Sequence, residues 1–302
     1  MHAGSGRLPT LALHRWRKIV TVANRWDRVA LIGIGLLGGS IGLALRRRGL
    51  ARQVVGVGRD GQRLAQAVQA GVITEAAADL TAAVAHADVV VVATPVDRIE
   101  PMVRQVVAAA DSAQIITDVG SVKAPIVDGL ADLPDEAPFV GSHPLAGSER
   151  SGFEYADADL LEGRVVFVTP TDATPPRVTE QAGRFWEALG ARVERMAARE
   201  HDRVMAAVSH LPHVVAAALA ASVPTFPQHY FGSGFRDTTR LAAGSVEMWV
   251  PILLQNQSAV LESLRHFRDS IEDWERALAA ADPRQLADLL AKGKQRRDAL
   301  GS

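Results

Sequence analysis

The chain contains no cysteine, which excludes disulfides, thiolate nucleophiles and cysteine-ligated zinc, and suits a reducing compartment such as the cytoplasm. Long apolar runs are missing too. The longest, at 89–93 and 214–223, fall well short of the roughly 20 residues that cross a bilayer, so no membrane partner is expected. Charge of one sign is also lacking: 33 Lys and Arg face 34 Asp and Glu, a formal net charge of -1, which offers no general attraction to nucleic acid. Before Asp27 there is no acidic residue at all, while Arg7, His14, Arg15, Arg17, Lys18 and Arg25 are basic. That bias is shared with organelle transit peptides, but residues 1–27 read rather as a disordered tail or an over-extended translation start, outside the fold.

What is present is ample apolar material, 48% of 302 residues, enough for two domains. From Arg28 onward, short β-branched runs at 29–34, 54–57, 89–94, 115–119, 139–142, 165–169 and 191–196 alternate with alanine-rich, helix-length segments. Most runs are apolar at consecutive positions, as strands buried on both faces of a parallel sheet are. Thr174-Pro175-Pro176 opens a helix that stops at Gly190, because proline suits a first turn and glycine a helix end. Past Arg199 the texture becomes helical, with a break at Gly232-Ser233-Gly234 and helices at 261–280 and 283–300. The expected fold is a Rossmann-type α/β dinucleotide-binding domain at 28–197 followed by an all-α helical domain at 198–302.

The first strand runs into Gly33-Ile34-Gly35-Leu36-Leu37-Gly38-Gly39-Ser40, a G-x-G-x-x-G turn in the setting a βαβ unit requires. Gly33 permits the turn, Gly35 lets the backbone approach a pyrophosphate, Gly38 lets the helix pack on the strand, and the free N–H groups around Leu36 and Leu37 face the anion. About 20 residues on, where an acidic side chain normally holds the adenosine ribose, stand Gly58 and Arg59. A guanidinium there pairs with a 2′-phosphate; the alternatives are that Arg59 stacks on adenine, or that Asp60 serves NAD. The cofactor is therefore NADP or NAD, leaning to NADP. Thr94-Pro95 reads as a turn over that cofactor, or as strand punctuation.

Removal of hydride from an alcohol carbon needs a base for the hydroxyl proton, and histidine suits that near neutral pH. His143, in Gly141-Ser142-His143-Pro144-Leu145-Ala146-Gly147-Ser148-Glu149, directly follows a strand, where ligands of open α/β sheets gather. In Thr117-Asp118-Val119-Gly120-Ser121-Val122-Lys123, Ser121 is placed to bond a reacting oxygen, to fix the histidine, or to cap the next helix. Ser209-His210-Leu211-Pro212-His213 sets two histidines on one helix face. No matching carboxylate and histidine set accompanies them, so they read as cleft lining and no metal is expected. Gly234-Phe235-Arg236-Asp237-Thr238-Thr239-Arg240 reads as a carboxylate-binding wall or as a solvated helix end.

Together these motifs resemble the prephenate and arogenate dehydrogenase family of tyrosine biosynthesis, in ordered segments at 33–40, 118–123, 141–149, 201–213 and 235–249. The resemblance implies oxidative decarboxylation of prephenate or arogenate, with His143 taking the ring hydroxyl's proton, Ser121 positioning that region and Arg240 holding a substrate carboxylate. It implies supporting pocket roles for Glu149, His213, Arg236, Asp237 and Trp249, and a homodimer formed through the helical domain. The departure is Gly58-Arg59, which bears on cofactor choice alone. With only two helices after Trp249, a monofunctional enzyme is expected, inhibited by tyrosine, if at all, through competition in the active site. Two other readings stand beside it: a β-hydroxyacid dehydrogenase or imine reductase-like NADP enzyme, favoured if Lys123 or another lysine, rather than His143, proves essential, and a nonenzymatic NADP-binding sensor. The Arg59 reading predicts a higher kcat/KM with NADP than with NAD; a tenfold or greater preference for NAD in the same assay would contradict it.

Overall fold

The structure is a computed structural model that describes residues 26–147 and 150–301; the N-terminal segment up to residue 25 lies outside it. Trp26 and Asp27, expected in the tail, belong instead to the first strand, and Trp26 packs edge-on against Phe185 at 5.3 Å between ring centroids.

Eight strands form one sheet: β1 (Trp26–Ile32), β2 (Ala51–Val57), β3 (Glu75–Ala76), β4 (Val89–Val92), β5 (Ile115–Asp118), β6 (Phe139–Pro144), β7 (Val165–Thr169) and β8 (Arg192–Arg195), in the order β3-β2-β1-β4-β5-β6-β7-β8. The helices between them are α1 (Leu36–Arg47), α2 (Gly61–Gln69), α3 (Leu80–Val84), α4 (Val96–Ala109), α5 (Ala124–Gly129) and α6 (Pro176–Ala188). Side chains alternate across each strand, and both faces are covered. Val29, Leu31, Val89 and Val91 pack with Ile41, Leu45, Phe185 and Trp186 of α1 and α6. Ala30, Ile32, Val90 and Val92 pack with Ile99 and Val103 of α4. This two-sided burial is why the runs are apolar at every position rather than at every second one.

One pairing departs from the expected parallel sheet: β7 runs antiparallel to β6. A parallel neighbour needs a crossover, usually helical, whereas the described part of the β6–β7 connection carries only a 3-10 turn at Phe153–Tyr155. A strand buried on both faces looks the same in either direction, so the run itself is silent on the point. The reversal sets Phe167 opposite His143 in the ladder.

The second layer begins with α7 (Ala198–Met205), continues without a break through a π-helical turn at Ala206–His210 into α8 (Leu211–Ser222), and adds α9 (Ser233–Thr239), α10 (Val246–Gln255), α11 (Gln257–Ala279) and α12 (Pro283–Ala299). Pro212 has no N–H and its ring crowds the carbonyl four residues back; the wider π turn absorbs both. The joined helix Ala198–Ser222 is long and apolar enough to cross a membrane by length and composition. It carries His201, Asp202, His210 and His213, and these four polar side chains are buried against the rest of the protein. α7 packs on α5 and β7, α10 on α4, and Ile252 of α10 enters the core on the α4 side of the sheet.

The glycine loop separates packing from ligand room. A Cβ on Gly38 would lie 2.1 Å from the Gly33 carbonyl oxygen, whereas a Cβ on Gly35 would meet nothing within 4 Å. Gly38→Ala is therefore expected to lower the free energy of unfolding by about 2 kcal/mol, while Gly35→Ala stays within about 1 kcal/mol of the parent and weakens dinucleotide binding by about tenfold or more, or about 1.4 kcal/mol. Urea titrations and cofactor titrations of both variants check the contrast.

Candidate active site

The parallel strands β1, β4, β5 and β6 end on one edge of the sheet, and the site is assembled there. Asp118 closes β5 with both carboxylate oxygens engaged: one accepts from Ser142 N at 3.0 Å, the other from Gly120 N at 2.8 Å and from the Lys123 ammonium. Lys123 Nζ also donates to Ser142 O at 2.9 Å. Both side chains of the pair are wholly buried. The Ser142 hydroxyl accepts from Trp186 Nε1 at 3.0 Å and lies 2.8 Å from Thr117 Oγ1. Backbone and side chain immediately before His143 are thus tied to β5 and α6, which fixes where that histidine emerges.

His143 itself is half-buried, and its Nδ1 lies 2.8 Å from Nε2 of His201 on α7. His201 Nδ1 in turn lies 2.8 Å from Asp202 Oδ1. The Phe167 ring meets His201 edge-on at 5.5 Å between centroids. Asp202 also accepts from Lys123 N and Ala124 N, both at 2.8 Å, so a carboxylate of the helical domain caps the first turn of α5. Asn256 Nδ2 donates to Asp202 O at 2.8 Å and lies 3.1 Å from His210 Nδ1. Trp249 stacks on His213 at 3.7 Å and lies edge-on to His210 at 6.0 Å. A Cβ on Gly244 would sit 2.7 Å from Trp249 Nε1 and 2.8 Å from His213 Cε1, so that stack requires glycine there.

Burial governs the electrostatics. It holds His143 well below the ordinary histidine pKa, and the nearby His201, Lys123 and His210 push it the same way. His210 is lowered to about 4 by burial, against the pull of Asp202, and His213 is lowered by burial alone. Burial likewise lowers Lys123, opposed by Asp118. The imidazole at position 143 is therefore neutral at physiological pH, as a proton acceptor must be.

Of the residues singled out from sequence, the structure brings His143, His213 and Trp249 into the wall between the two layers. Ser121 is half-buried in the β5–α5 turn, but the partner of His143 Nδ1 is His201. Arg240, Arg236 and Asp237 are exposed at the end of α9 and just beyond; Arg236 also ties down its own loop through Phe231 O at 3.2 Å and Gln228 O at 3.3 Å. Glu149 lies outside the described residues. Sequence reasoning missed His201, Asp202 and Asn256. The available signal was an adjacent histidine and aspartate at the start of an apolar helix, hidden within the charged stretch Arg199-Glu200-His201-Asp202-Arg203.

The same sheet edge fits a dinucleotide. Gly35 precedes α1 without a side-chain cap, and no acidic residue stands in the first turn, so the N–H groups around Leu36, Leu37 and Gly38 remain free for an anion. The Thr94 hydroxyl is buried without a hydrogen-bond partner, at the strand end where Pro95 begins the turn into α4. Arg59 is exposed. Asp60 is engaged at the start of α2, accepting from Gln62 N at 2.9 Å and Arg63 N at 3.1 Å. A cavity of about 290 Å³ between α5 and the turn after β7, lined by Leu130, Pro134, Phe139 and Thr171, includes none of the histidines and belongs to no part of this site.

A glycine-loop sheet with an anchored, neutral histidine on its carboxyl edge and a helical layer closing over it defines a dinucleotide-dependent dehydrogenase. The prephenate dehydrogenase nucleotide-binding domain matches residues 41–195 and the prephenate dehydrogenase dimerization domain matches residues 197–292; the chain belongs to the prephenate dehydrogenase family. It is 33% identical over 91% of its length to a prephenate dehydrogenase from Bacillus subtilis, covering 76% of that protein. A cyclohexadienyl dehydrogenase from Zymomonas mobilis is 32% identical, with 91% of this chain and 96% of that protein covered. Among solved structures, prephenate dehydrogenase from Aquifex aeolicus with hydroxyphenyl propionate and NAD+ superposes with a TM-score of 0.84 at 32% identity, covering 91% of this chain and 98% of that one. A 3-hydroxyisobutyrate dehydrogenase from Salmonella typhimurium, at 15% identity and a TM-score of 0.54, shares the fold alone.

The depressed histidines generate a stability prediction. Above about pH 6.5 these groups are neutral both folded and unfolded; below it the unfolded chain binds protons that the folded chain refuses, so stability falls toward about pH 4, where His210 titrates in the fold. Urea midpoints are expected to drop between pH 7 and pH 5, above most of the carboxylate range. A midpoint flat or rising over that interval would contradict the burial of these side chains.

Proposed function

We propose that the chain catalyses the NAD(P)-dependent oxidative decarboxylation of prephenate to 4-hydroxyphenylpyruvate, or of arogenate to tyrosine. The observation that carries this reading is His143: a neutral imidazole at the carboxyl end of β6, anchored through Nδ1, on the sheet edge that also bears the glycine loop and Thr94. In prephenate a ring hydroxyl stands opposite a carbon bearing a carboxylate and a pyruvyl chain. His143 accepts the hydroxyl proton as hydride leaves the same carbon. The resulting dienone is electron-poor and loses carbon dioxide; the bonding pair left behind restores an aromatic ring and places negative charge on the ring oxygen, which takes the proton back from His143. The dinucleotide, when bound, supplies the acceptor for the hydride; Gly33, Gly35, Gly38, Leu36 and Leu37 hold its pyrophosphate, Thr94 and Pro95 flank it, and Arg59 favours a 2′-phosphate.

Substrate recognition draws on both layers. Arg240 takes a substrate carboxylate, Ser121 bonds near the reacting hydroxyl, and His213 with Trp249, supported by Arg236, Asp237 and Glu149, forms the pocket wall. Tyrosine shares the ring and carboxylate of the product and competes for the same place. Val208, Val246, Leu254 and Leu278 are exposed on the helical layer, and this apolar surface, in a domain of the dimerization type, supports a homodimer. The cysteine-free composition suits a cytoplasmic enzyme. Lysine-based catalysis is disfavoured because Lys123 is fully buried in its pair with Asp118.

Crossing prephenate and arogenate with NAD and NADP in turnover assays tests the activity and resolves both choices. In the best combination, His143→Asn is expected to lower kcat by about 10²-fold or more with KM little changed; an unaffected kcat would remove His143 as the base.

A further inference from the structure

His143 has two ring nitrogens, and in the neutral ring one carries the hydrogen while the other offers the basic lone pair. We propose that Asp202 and His201 act as positioning residues that set the tautomer of His143, holding its proton on Nδ1 so that Nε2 stands bare toward the cleft. The inference rests on the reading of His143 as the base, and follows from hydrogen-bond polarity along one chain of contacts.

A carboxylate accepts and does not donate. Asp202 Oδ1 lies 2.8 Å from His201 Nδ1, so the hydrogen in that bond belongs to the histidine. With its ring proton on Nδ1, His201 presents a lone pair at Nε2. That lone pair lies 2.8 Å from His143 Nδ1, so His143 donates there, and a neutral imidazole donating from Nδ1 has no hydrogen on Nε2. Reversing the polarity would require a hydrogen on His201 Nε2, and then either the Asp202 bond is lost or a second proton enters a ring with no solvent exposure.

The anchor is itself fixed. The Asp202 carboxylate accepts from Lys123 N and Ala124 N as well as from His201, and its carbonyl accepts from Asn256. It has no freedom to turn away. The groups that face this chain are Asp202, Lys123 and His210, together with the edge of the Phe167 ring; apart from Asp202, none supplies an acceptor to His201 Nδ1. The remaining contact therefore transmits one orientation from the helical domain to the sheet edge. In the serine-protease triad, exchanging the orienting carboxylate for an amide leaves the geometry in place and lowers turnover by about 10⁴-fold, through the wrong tautomer; the present chain has the same logic with one imidazole inserted.

The test has a spectroscopic and a kinetic arm on the full-length protein. Long-range ¹H–¹⁵N spectra of protein labelled in its histidine rings, assigned with His143→Asn and His201→Gln, are expected to show both His143 and His201 protonated on Nδ1. Finding the His143 proton on Nε2 would overturn the proposal. In the kinetic arm, His201→Leu removes the acceptor and is expected to lower kcat by about 10²-fold while KM for both substrates stays within about threefold. His201→Gln can present Oε1 where Nε2 stood and is expected to recover most of that loss. Unchanged kcat in His201→Leu, or equal losses in the two variants, would show a packing role and defeat the proposal. Should the parent protein turn over neither prephenate nor arogenate, the functional reading fails, while the ring spectra still decide whether the relay exists.

Discussion

Asp202 is the point at which the two domains become one site. A helical-domain carboxylate accepts from Lys123 N and Ala124 N at the start of α5 in the dinucleotide domain and from the ring of His201. α5 is short and has no side-chain cap of its own, so the Lys123 and Ala124 N–H groups left open at its start are satisfied by a carboxylate of the other layer. The same contact aligns the imidazole that holds His143. Hydrogen bonds to a charged acceptor contribute roughly 1.5–3 kcal/mol each, and a buried donor left unmatched costs comparably, so relative displacement of the layers is strongly opposed at this place. Precision at the sheet edge is a consequence of how the domains are joined, and not a property of the Rossmann half alone.

Beneath that junction lies a second constraint, the buried pair of Asp118 and Lys123. Desolvating two charges is costly, and such pairs add little net stability compared with apolar residues of the same shape. Their value here is geometric. Asp118 bonds Gly120 and Ser142, and Lys123 bonds the Ser142 carbonyl, so the ends of β5 and β6 are locked together one residue before His143. The lysine that would have served an imine reductase-like mechanism is thereby occupied. Its backbone N–H goes to Asp202, so the pair and the domain junction meet at a single residue.

Much of the sheet was legible because burial on both faces forces consecutive apolar residues, and runs such as 89–92 and 165–169 admit few other readings. The glycine loop was legible because sterics at Gly33 and Gly38 tolerate no side chain. The direction of β7 was not, since polarity of pairing leaves no mark on a doubly buried strand. Nor was the relay: in the sequence, Arg199-Glu200-His201-Asp202-Arg203 has the composition of a solvated helix start, and only the packing of α7 on α5 turns two of its five residues inward. His143 could be named from its position after a strand, whereas the group that orients it is 58 residues away. Local pattern reports which residues are near a strand end; it cannot report which distant side chain completes their hydrogen bonds.

These constraints divide the molecule by function. The atoms that must be placed most accurately, around His143, rest on the sheet edge and on fully buried polar groups. The residues proposed to recognise the substrate, Arg240, Arg236 and Asp237, lie on exposed turns of the helical layer. His213 and Trp249 lie between the two regimes, stacked on each other beside Gly244, with Trp249 packed toward α4. Changes on these outer turns leave the buried contacts that hold His143 in place. The proposed base and the residues proposed to bind substrate can therefore vary independently, because different parts of the fold hold them.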